Sequence, residues 1–237
     1  FRVSFSAQNE GYTKTLPIIK KNWKLKTLIV FDIDGTLTDS VKVHQKAFSE
    51  MLIEIGVKNI NKEFKSFKHH TDSYIAKEIY ENNQKSIFSD KKMNEFESGL
   101  NEKINKININ EILGAKELIK KLEKETDLGI CYATGSLRRP AEHKLKSIGI
   151  NFEDIQLVAS DKILERENIV QKAIQNAQSH YGIEKFDRII SVGDGLWDLL
   201  TAKNLDIEFI GVGLKNKETL IENGAKKIFE NLLHFDI

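Results

Sequence analysis

Short apolar runs, each followed by a turn and then a helical pattern, recur along most of this chain. Such runs are typical of strands buried on both faces of a sheet, and helices between successive strands are the usual crossovers of parallel sheets. The sequence therefore predicts an α/β fold, a doubly wound, Rossmann-like parallel sheet with helices on both faces. The predicted strands lie at 28–31, 128–133, 157–159, 189–192, 209–212 and, more weakly, 227–229.

One long segment interrupts this alternation soon after the first strand. From about 57 to 110, apolar residues recur only at helical intervals, among interleaved lysines, asparagines and acids. We predict a small all-helical domain over 41–110, inserted into a core made of 27–40 and 111–237. Residues 1–26 are predicted to be a basic N-terminal extension, without the apolar core of a secretory signal.

The composition limits the classes of function. Of the 237 residues, 40% are hydrophobic and 30% are charged, and the formal net charge is +1. These values suit a globular protein, with no apolar run near the length that a bilayer requires and no excess charge that favours nucleic acid. The single cysteine, Cys131, is predicted to be a buried, inert thiol, which suits a reducing compartment. We expect a cytoplasmic protein, either a monomer or a weak dimer.

Two acids, Asp32 and Asp34, stand where the first strand gives way to its loop, in the stretch FDIDGTLTD. Side chains two apart on an extended segment leave the backbone on the same side, so both carboxylates face one small space. Two such charges raise each other's pKa unless a cation or a shared proton offsets them. The pair is therefore either an acidic turn in solvent or a site for metal or acid/base chemistry.

Further polar residues follow the later strands, at the sheet edge where ligands of parallel sheets bind. They are the turn Thr134-Gly135-Ser136 after the second strand, Lys162 and Arg166 after the third, and Asp194 and Asp198 after the fourth. Each group alone could be a helix cap, a turn or a solvated charge. Acids, hydroxyls and a cation that converge on one edge instead indicate an active site.

The order of these motifs resembles the haloacid dehalogenase-like hydrolase superfamily, in its phosphatase branch. The resemblance rests on DIDGTLTD at 32–39, TGS at 134–136, a basic residue before a helix, and GDGLWD at 193–198. It covers about 27–213. The inserted helical segment is similar to the small helical cap that these enzymes carry after their first motif.

The resemblance implies a chemistry for the acidic pair. Asp32 would be the nucleophile that attacks phosphorus to give an aspartyl-phosphate, and Asp34 would protonate the leaving oxygen and later activate water. The implied cofactor is Mg²⁺. Its implied ligands are the Asp32 carboxylate, the Asp34 backbone carbonyl and Asp194, with Asp198 as a ligand or directly behind the ligands.

The resemblance also implies that Thr134, the amide of Gly135 and a cation hold the phosphate. The cation departs from the common pattern, a lysine followed closely by proline, because this chain reads DKILERENIV at 161–170. Arg166 directly precedes the apolar face of the next helix, and arginine binds phosphate through two parallel hydrogen bonds. We therefore assign the role to Arg166, with Lys162 as the alternative.

Four residues in the inserted segment are candidates for substrate specificity: His44, His70, Thr71 and Asp72. His44 occupies a helix that resembles the substrate-flanking helix of sugar-phosphate mutases and phosphatases, or it is a partly exposed helix residue. Thr71 or Asp72 caps the helix that follows, or reaches into the site with His70 as a specificity loop.

Together these features predict a Mg²⁺-dependent phosphatase of a small phosphorylated metabolite, with a cap that closes over the substrate. A phosphomutase of the β-phosphoglucomutase type is the alternative, and a catalytically silent binding protein on the same fold is a third hypothesis. No nucleic acid or membrane is expected as a partner. The sequence does not distinguish a sugar phosphate, phosphoglycolate or a nucleotide as the substrate.

Overall fold

The computed structural model describes residues 26–60 and 67–237. Its strands are β1 (Thr27–Phe31), β2 (Leu128–Ala133), β3 (Leu157–Val158), β4 (Arg188–Gly193), β5 (Glu208–Val212) and β6 (Ile228–Phe229). They form one sheet in the order β3-β2-β1-β4-β5-β6, and every neighbouring pair is parallel. The strand order reverses at β1, so the binding crevice of this sheet lies outside the carboxyl end of β1.

The described helices lie between the strands, four of them between β1 and β2 and the others between later strands. They are α1 (Val41–Glu54), α2 (Asp72–Gln84), α3 (Asp90–Ile104), α4 (Ala115–Leu122), α5 (Arg138–Ser147), α6 (Arg166–Tyr181), α7 (Leu196–Asn204) and α8 (Lys217–Glu222). A short 3₁₀ turn, Asp154–Gln156, leads into β3.

The central strand β1 shows why its apolar run is continuous. Leu28 and Val30 belong to the buried cluster that contains the apolar face of α6, whereas Ile29 and Phe31 belong to the cluster on the opposite face of the sheet, with α4 and α5. Successive side chains of a strand point to opposite faces, and here both faces are covered by helices. A polar residue within β1 would therefore be buried on either side.

Helices α1 to α3 and their connections, which we call the cap, lie between β1 and α4 in the chain. The two connections between the cap and the core are paired with each other. The amide of Asp39 donates to the carbonyl of Asn110, and the amide of Ile112 donates to the carbonyl of Leu37, both at 2.9 Å. The cap therefore leaves and re-enters the core at adjoining points.

The predicted fold class, a doubly wound parallel-sheet core with a small all-helical cap, is confirmed. The predicted strands agree with the observed ones to within one residue at each end, and Cys131 is buried as expected. The division into a core of 27–40 and 111–237 and a cap of 41–110 stays a prediction. The predicted extension over 1–26 lies outside the described residues except for Lys26. None of the described helices is long and apolar enough to cross a membrane.

Phe96 of α3 lies in the cap's part of the large buried cluster, is fully buried, and meets Phe48 of α1 edge to face, with ring centroids 5.1 Å apart. We expect Phe96→Ala to lower the free energy of unfolding by about 3–5 kcal/mol, because it removes these contacts and leaves a cavity. Phe96→Leu fills most of that space and is the matched control. Chemical denaturation measures both variants, and equal losses would contradict the assignment of Phe96 to a packed centre.

Candidate active site

The carboxyl ends of the central strands and the cap enclose a cavity of about 150 Å³. All four candidate specificity residues of the cap line it. From the core, its lining includes the predicted site residues Asp32, Asp34, Thr134, Gly135, Arg166 and Asp194. The structure thus brings together groups that are up to 162 positions apart in the chain, between Asp32 and Asp194. Lys162 is exposed and lines a separate surface depression instead.

Arg166, the first residue of α6, is buried between two carboxylates. Its Nη2 lies 2.6 Å from Asp32 Oδ1 and 2.6 Å from Asp198 Oδ1, and its Nε lies 3.1 Å from the same Asp198 oxygen. Charge-assisted bonds of this length are the strong ones in proteins, so the guanidinium fixes the position of Asp32. Of the two cations considered from the sequence, the geometry joins Arg166 to Asp32.

Three carboxylates, those of Asp32, Asp194 and Asp198, offer oxygens that lie within 4.8 Å of one another. Burial, followed by the negative charges of Asp198 and Asp32, raises the pKa of Asp194 well above its usual range. Burial also raises the pKa of Asp32 to about 7, although the Arg166 charge opposes the shift. One guanidinium therefore does not balance the three acids, and a bound cation would lower the cost of ionising them.

The donor set at this point fits a hard divalent cation. The Oδ1 atom of Asp194 is buried and has no hydrogen-bond partner, which leaves it free as a metal ligand. Asp198 differs, because its Oδ1 accepts from Arg166 and its Oδ2 accepts from the amide of Gly195 at 3.1 Å. Oxygen ligands of this kind are those that Mg²⁺ prefers. Gly195 is the residue before α7, so the predicted turn and cap at GDGLWD is also present.

Gly35 allows Asp194 to approach the loop after β1. Its φ is +85°, in the left-handed region, and a Cβ at this position would lie 2.4 Å from Asp194 Oδ2. Only glycine satisfies both conditions without displacing the carboxylate. The glycine of the DxDG motif therefore has a specific physical role beside the acidic cluster.

The turn Thr134-Gly135-Ser136 joins β2 to α5 at the cavity floor. The Thr134 hydroxyl accepts from the amide of Ser136 at 3.1 Å and so shapes the turn. A Cβ on Gly135 would lie 2.4 Å from the carbonyl oxygen of His70 and 2.5 Å from Arg166 Nη1. The alternative in which this turn is only a helix cap is wrong, because the residue before α5 is Leu137, whose side chain makes no capping hydrogen bond. The turn instead lies directly against the cap.

Asp34 is held by a cation that the sequence did not reveal. Lys144 of α5 lies 2.6 Å from Asp34 Oδ1 and 2.8 Å from Oδ2, and the Ser40 hydroxyl donates to Oδ1 at 2.5 Å. Burial alone would raise the pKa of Asp34, but the Lys144 charge and these hydrogen bonds outweigh it and lower the pKa to about 2. Asp34 is therefore a stable carboxylate in this arrangement.

Lys144 could have been found from periodicity. It lies in the basic stretch RRPAEHKLKS, which reads as a solvated helix. Its spacing from Ala141, Leu145 and Ile148 nevertheless places it on the buried stripe of α5. A lysine within an apolar stripe was the missed signal. Trp197 and Asn216 line the cavity, and neither carried a comparable signal in the sequence.

The cap residues bind the core as well as line the cavity. The Thr71 hydroxyl accepts from the amide of Tyr74 at 3.4 Å and so caps α2, which is one of the alternatives that the sequence left open. It also donates to the carbonyl of Leu164 at 2.7 Å. His70 stacks on Trp197 of α7, with ring centroids 4.9 Å apart. The cap thus contacts the segments that follow β3 and β4.

His44 is buried, so the alternative of a partly exposed helix residue is wrong. Its Nε2 lies 3.0 Å from Asp72 Oδ1, and Asp72 Oδ2 accepts from the amide of Leu137 at 3.0 Å. The amide of Asp72 donates to the carbonyl of Gly135 at 2.7 Å. Asp72 therefore joins the cap to the turn after β2.

Comparison with known proteins agrees with this geometry. The family model described as haloacid dehalogenase-like hydrolase matches residues 29–212. No curated protein sequence matches the chain. A solved hydrolase from Pseudomonas syringae is 24% identical, with a TM-score of 0.61 over 87% of this chain and 94% of that one.

Two further solved structures show the same fold. CbbY from Rhodobacter sphaeroides, in complex with phosphate, is 17% identical, with a TM-score of 0.67 over 89% of this chain and 96% of that chain. A family IA, variant 3 hydrolase from Entamoeba histolytica is 21% identical, with a TM-score of 0.66 over the same two shares. Because the family model spans more than half of the sequence, this chain belongs to the haloacid dehalogenase-like hydrolase family.

Proposed function

We propose that this protein is a phosphatase that hydrolyses a small phosphorylated metabolite through an aspartyl-phosphate on Asp32. The observation that carries the proposal is the 2.6 Å contact between Asp32 Oδ1 and the buried guanidinium of Arg166, inside a cavity that also contains Asp34 and the turn at Thr134. A carboxylate fixed beside a cation suits attack on a phosphoryl group, because the cation stabilises the charge that spreads over the phosphoryl oxygens.

In the first step, an Asp32 oxygen forms a bond to phosphorus and the ester P–O bond breaks. The leaving oxygen takes a proton from Asp34, and the phosphoryl oxygens are held by Thr134, the amide of Gly135 and Arg166. Asp34 must gain that proton beforehand. A phosphate dianion bound beside Asp34 raises the pKa of this carboxyl, since a second negative charge disfavours the ionised form.

In the second step, Asp34 acts as the base. Its carboxylate takes a proton from water, the oxygen of that water attacks phosphorus, and the bond between phosphorus and Asp32 breaks. Inorganic phosphate leaves, and Asp32 returns to its carboxylate form. The ionised Asp34 that Lys144 and Ser40 hold is the form that this step requires.

We propose Mg²⁺ as the cofactor, held by the Asp32 carboxylate, the Asp34 backbone carbonyl and Asp194. When bound, it supplies positive charge beside the phosphoryl group. Asp198 is occupied at both oxygens, so its role is to fix Arg166 behind these ligands. The small cavity under the cap favours a compact monoester as the substrate, and a buried, unpaired Cys131 suits the cytoplasm.

We expect Asp32→Asn to abolish phosphate release from p-nitrophenyl phosphate and from every active member of a panel of phosphorylated metabolites, because the amide is not a nucleophile. Asp39→Asn, on an exposed residue of the same segment, is the matched control and should keep wild-type activity. Release of phosphate by the Asp32 variant would overturn the aspartyl-phosphate route. If the wild-type protein converts a sugar monophosphate into its isomer and releases little free phosphate, the protein is a phosphomutase instead.

Replacement of the two candidate cations separates their roles. We expect Arg166→Ala to lower kcat/KM by roughly 10²-fold or more, because Asp32 loses its fixed position and the transition state loses a cation. Lys162→Ala should change it little, since Lys162 is exposed and lies outside the cavity. Steady-state kinetics with one substrate measure both variants. The opposite ranking would assign the role to Lys162.

Magnesium should stabilise the protein through the acidic cluster. We expect Mg²⁺ to raise the midpoint of thermal unfolding of the wild type and to raise that of Asp194→Asn much less. The shift should be larger at about pH 8 than at about pH 5.5, because the raised pKa values of Asp32 and Asp194 keep protons on these groups in the folded protein at the lower pH, where they compete with the cation. Equal shifts in both proteins would place the ion elsewhere.

A further inference from the structure

Lys144 is a completely buried lysine whose ammonium has a full set of acceptors. Besides Asp34, its Nζ lies 2.9 Å from His44 Nδ1 and 3.1 Å from Ser136 Oγ. A lysine ammonium carries three N–H donors, so the three residues together satisfy it. Burying a charge is costly unless it is paired and hydrogen-bonded, and the complete set of partners lowers this cost.

The position of Lys144 separates it from the cation that serves the nucleophile. Arg166 contacts Asp32 and Asp198, whereas the polar contacts of Lys144 are made to Asp34, His44 and Ser136. Its ammonium bridges both oxygens of Asp34 and so fixes the rotation of that carboxylate. Lys144 therefore contacts Asp34, which is proposed to move protons, and its polar contacts do not include Asp32, which is proposed to attack phosphorus.

The same lysine connects Asp34 with the cap. Because Lys144 donates to Nδ1 of His44, the ring hydrogen of His44 lies on Nε2, which donates to Asp72. Asp72 is the first residue of α2 and also bonds Gly135 and Leu137 of the core. A continuous chain of hydrogen bonds thus runs from the seated cap to Asp34.

We propose that Lys144 is a positioning residue for Asp34, and that its contact with His44 of the cap makes this positioning depend on the seating of the cap. The inference rests on the proposed function. When the cap is seated, Asp72 orients His44, His44 and Ser136 orient the ammonium, and the ammonium orients Asp34. Removal of Lys144 leaves Asp34 bonded by the Ser40 hydroxyl at one oxygen, so the rotation of the carboxylate is no longer fixed at both.

This role predicts a loss confined to the steps that use Asp34. Attack of Asp32 on p-nitrophenyl phosphate expels a weakly basic phenolate, which needs no proton in the transition state. Hydrolysis of the aspartyl-phosphate and expulsion of an alkoxide from an alkyl phosphate both need Asp34. A merely structural defect would lower all of these rates together.

The test compares Lys144→Met with Lys146→Met, the same change at an exposed lysine of α5 that pairs with Glu142. Rapid mixing measures the first turnover of p-nitrophenolate, and steady-state assays measure kcat and KM for an alkyl phosphate. We expect Lys144→Met to lower the alkyl phosphate kcat by about 10²-fold or more, with the first-turnover rate within about threefold of wild type. Lys146→Met should match the wild type.

Three outcomes overturn the inference. An unchanged kcat in Lys144→Met shows that Asp34 needs no help from this lysine. Equal losses in the first turnover and in the alkyl phosphate kcat show a structural role or a role in phosphate binding. A wild type that forms no p-nitrophenolate and hydrolyses no phosphomonoester overturns the proposed function together with the inference, so the two failures are distinguishable.

Asp72→Asn tests the link to the cap. It also replaces Lys144→Met as the test variant if thermal unfolding shows that Lys144→Met does not fold. The asparagine can still accept from Leu137 but loses the charge that orients His44. We expect Asp72→Asn to lower the alkyl phosphate kcat by a smaller factor, again with little change in the first-turnover rate. The double variant with Lys144→Met should show no further loss, because both residues act through one chain of hydrogen bonds. A change confined to KM, or additive losses, would show that Asp72 does not act through Lys144.

Discussion

The active-site end of this fold depends on the pairing of buried charges. The charges of Asp198 and Asp34 both act on Asp32. Two cations pair with these acids, Arg166 with Asp32 and Asp198, and Lys144 with Asp34. An unpaired carboxylate at this depth is costly, and each cation lowers that cost for the acids it contacts, Arg166 for Asp32 and Asp198 and Lys144 for Asp34. The two cations therefore divide the acids into two separately held groups.

The double winding of the sheet explains how two cations reach one strand end. Lys144 is carried by α5, which packs on one face of the sheet, and Arg166 by α6, which packs on the other. The crossover through α6 runs from β3 to β4 and so passes over β1, where the strand order reverses, whereas α5 joins β2 to its outer neighbour β3. The loop after β1 thus lies between a cation from each face, and the topology itself separates the partner of Asp34 from the partner of Asp32.

The sequence predicted the core well because apolar runs, turns and the order of polar motifs are local signals. It also indicated Arg166, since this residue directly precedes the apolar face of α6. It indicated Lys144 only weakly, through its place on the apolar stripe of a basic helix, because the partner that explains its burial, Asp34, is 110 positions away in the chain. For the same reason, the sequence left open whether His44 is buried and whether Thr71 caps a helix or lines the site.

The start of α5 shows how the cap becomes part of the active site. Its first three free amides, those of Leu137, Arg138 and Arg139, donate to Asp72, Asp161 and Glu97 at 3.0, 2.5 and 3.0 Å. Acids are favoured at a helix start, and two of these three belong to the cap. Displacement of the cap would leave two amides unsatisfied beside the turn proposed to hold phosphate. Seating of the cap and order of that turn are thus one equilibrium, and a ligand that favours either one favours both.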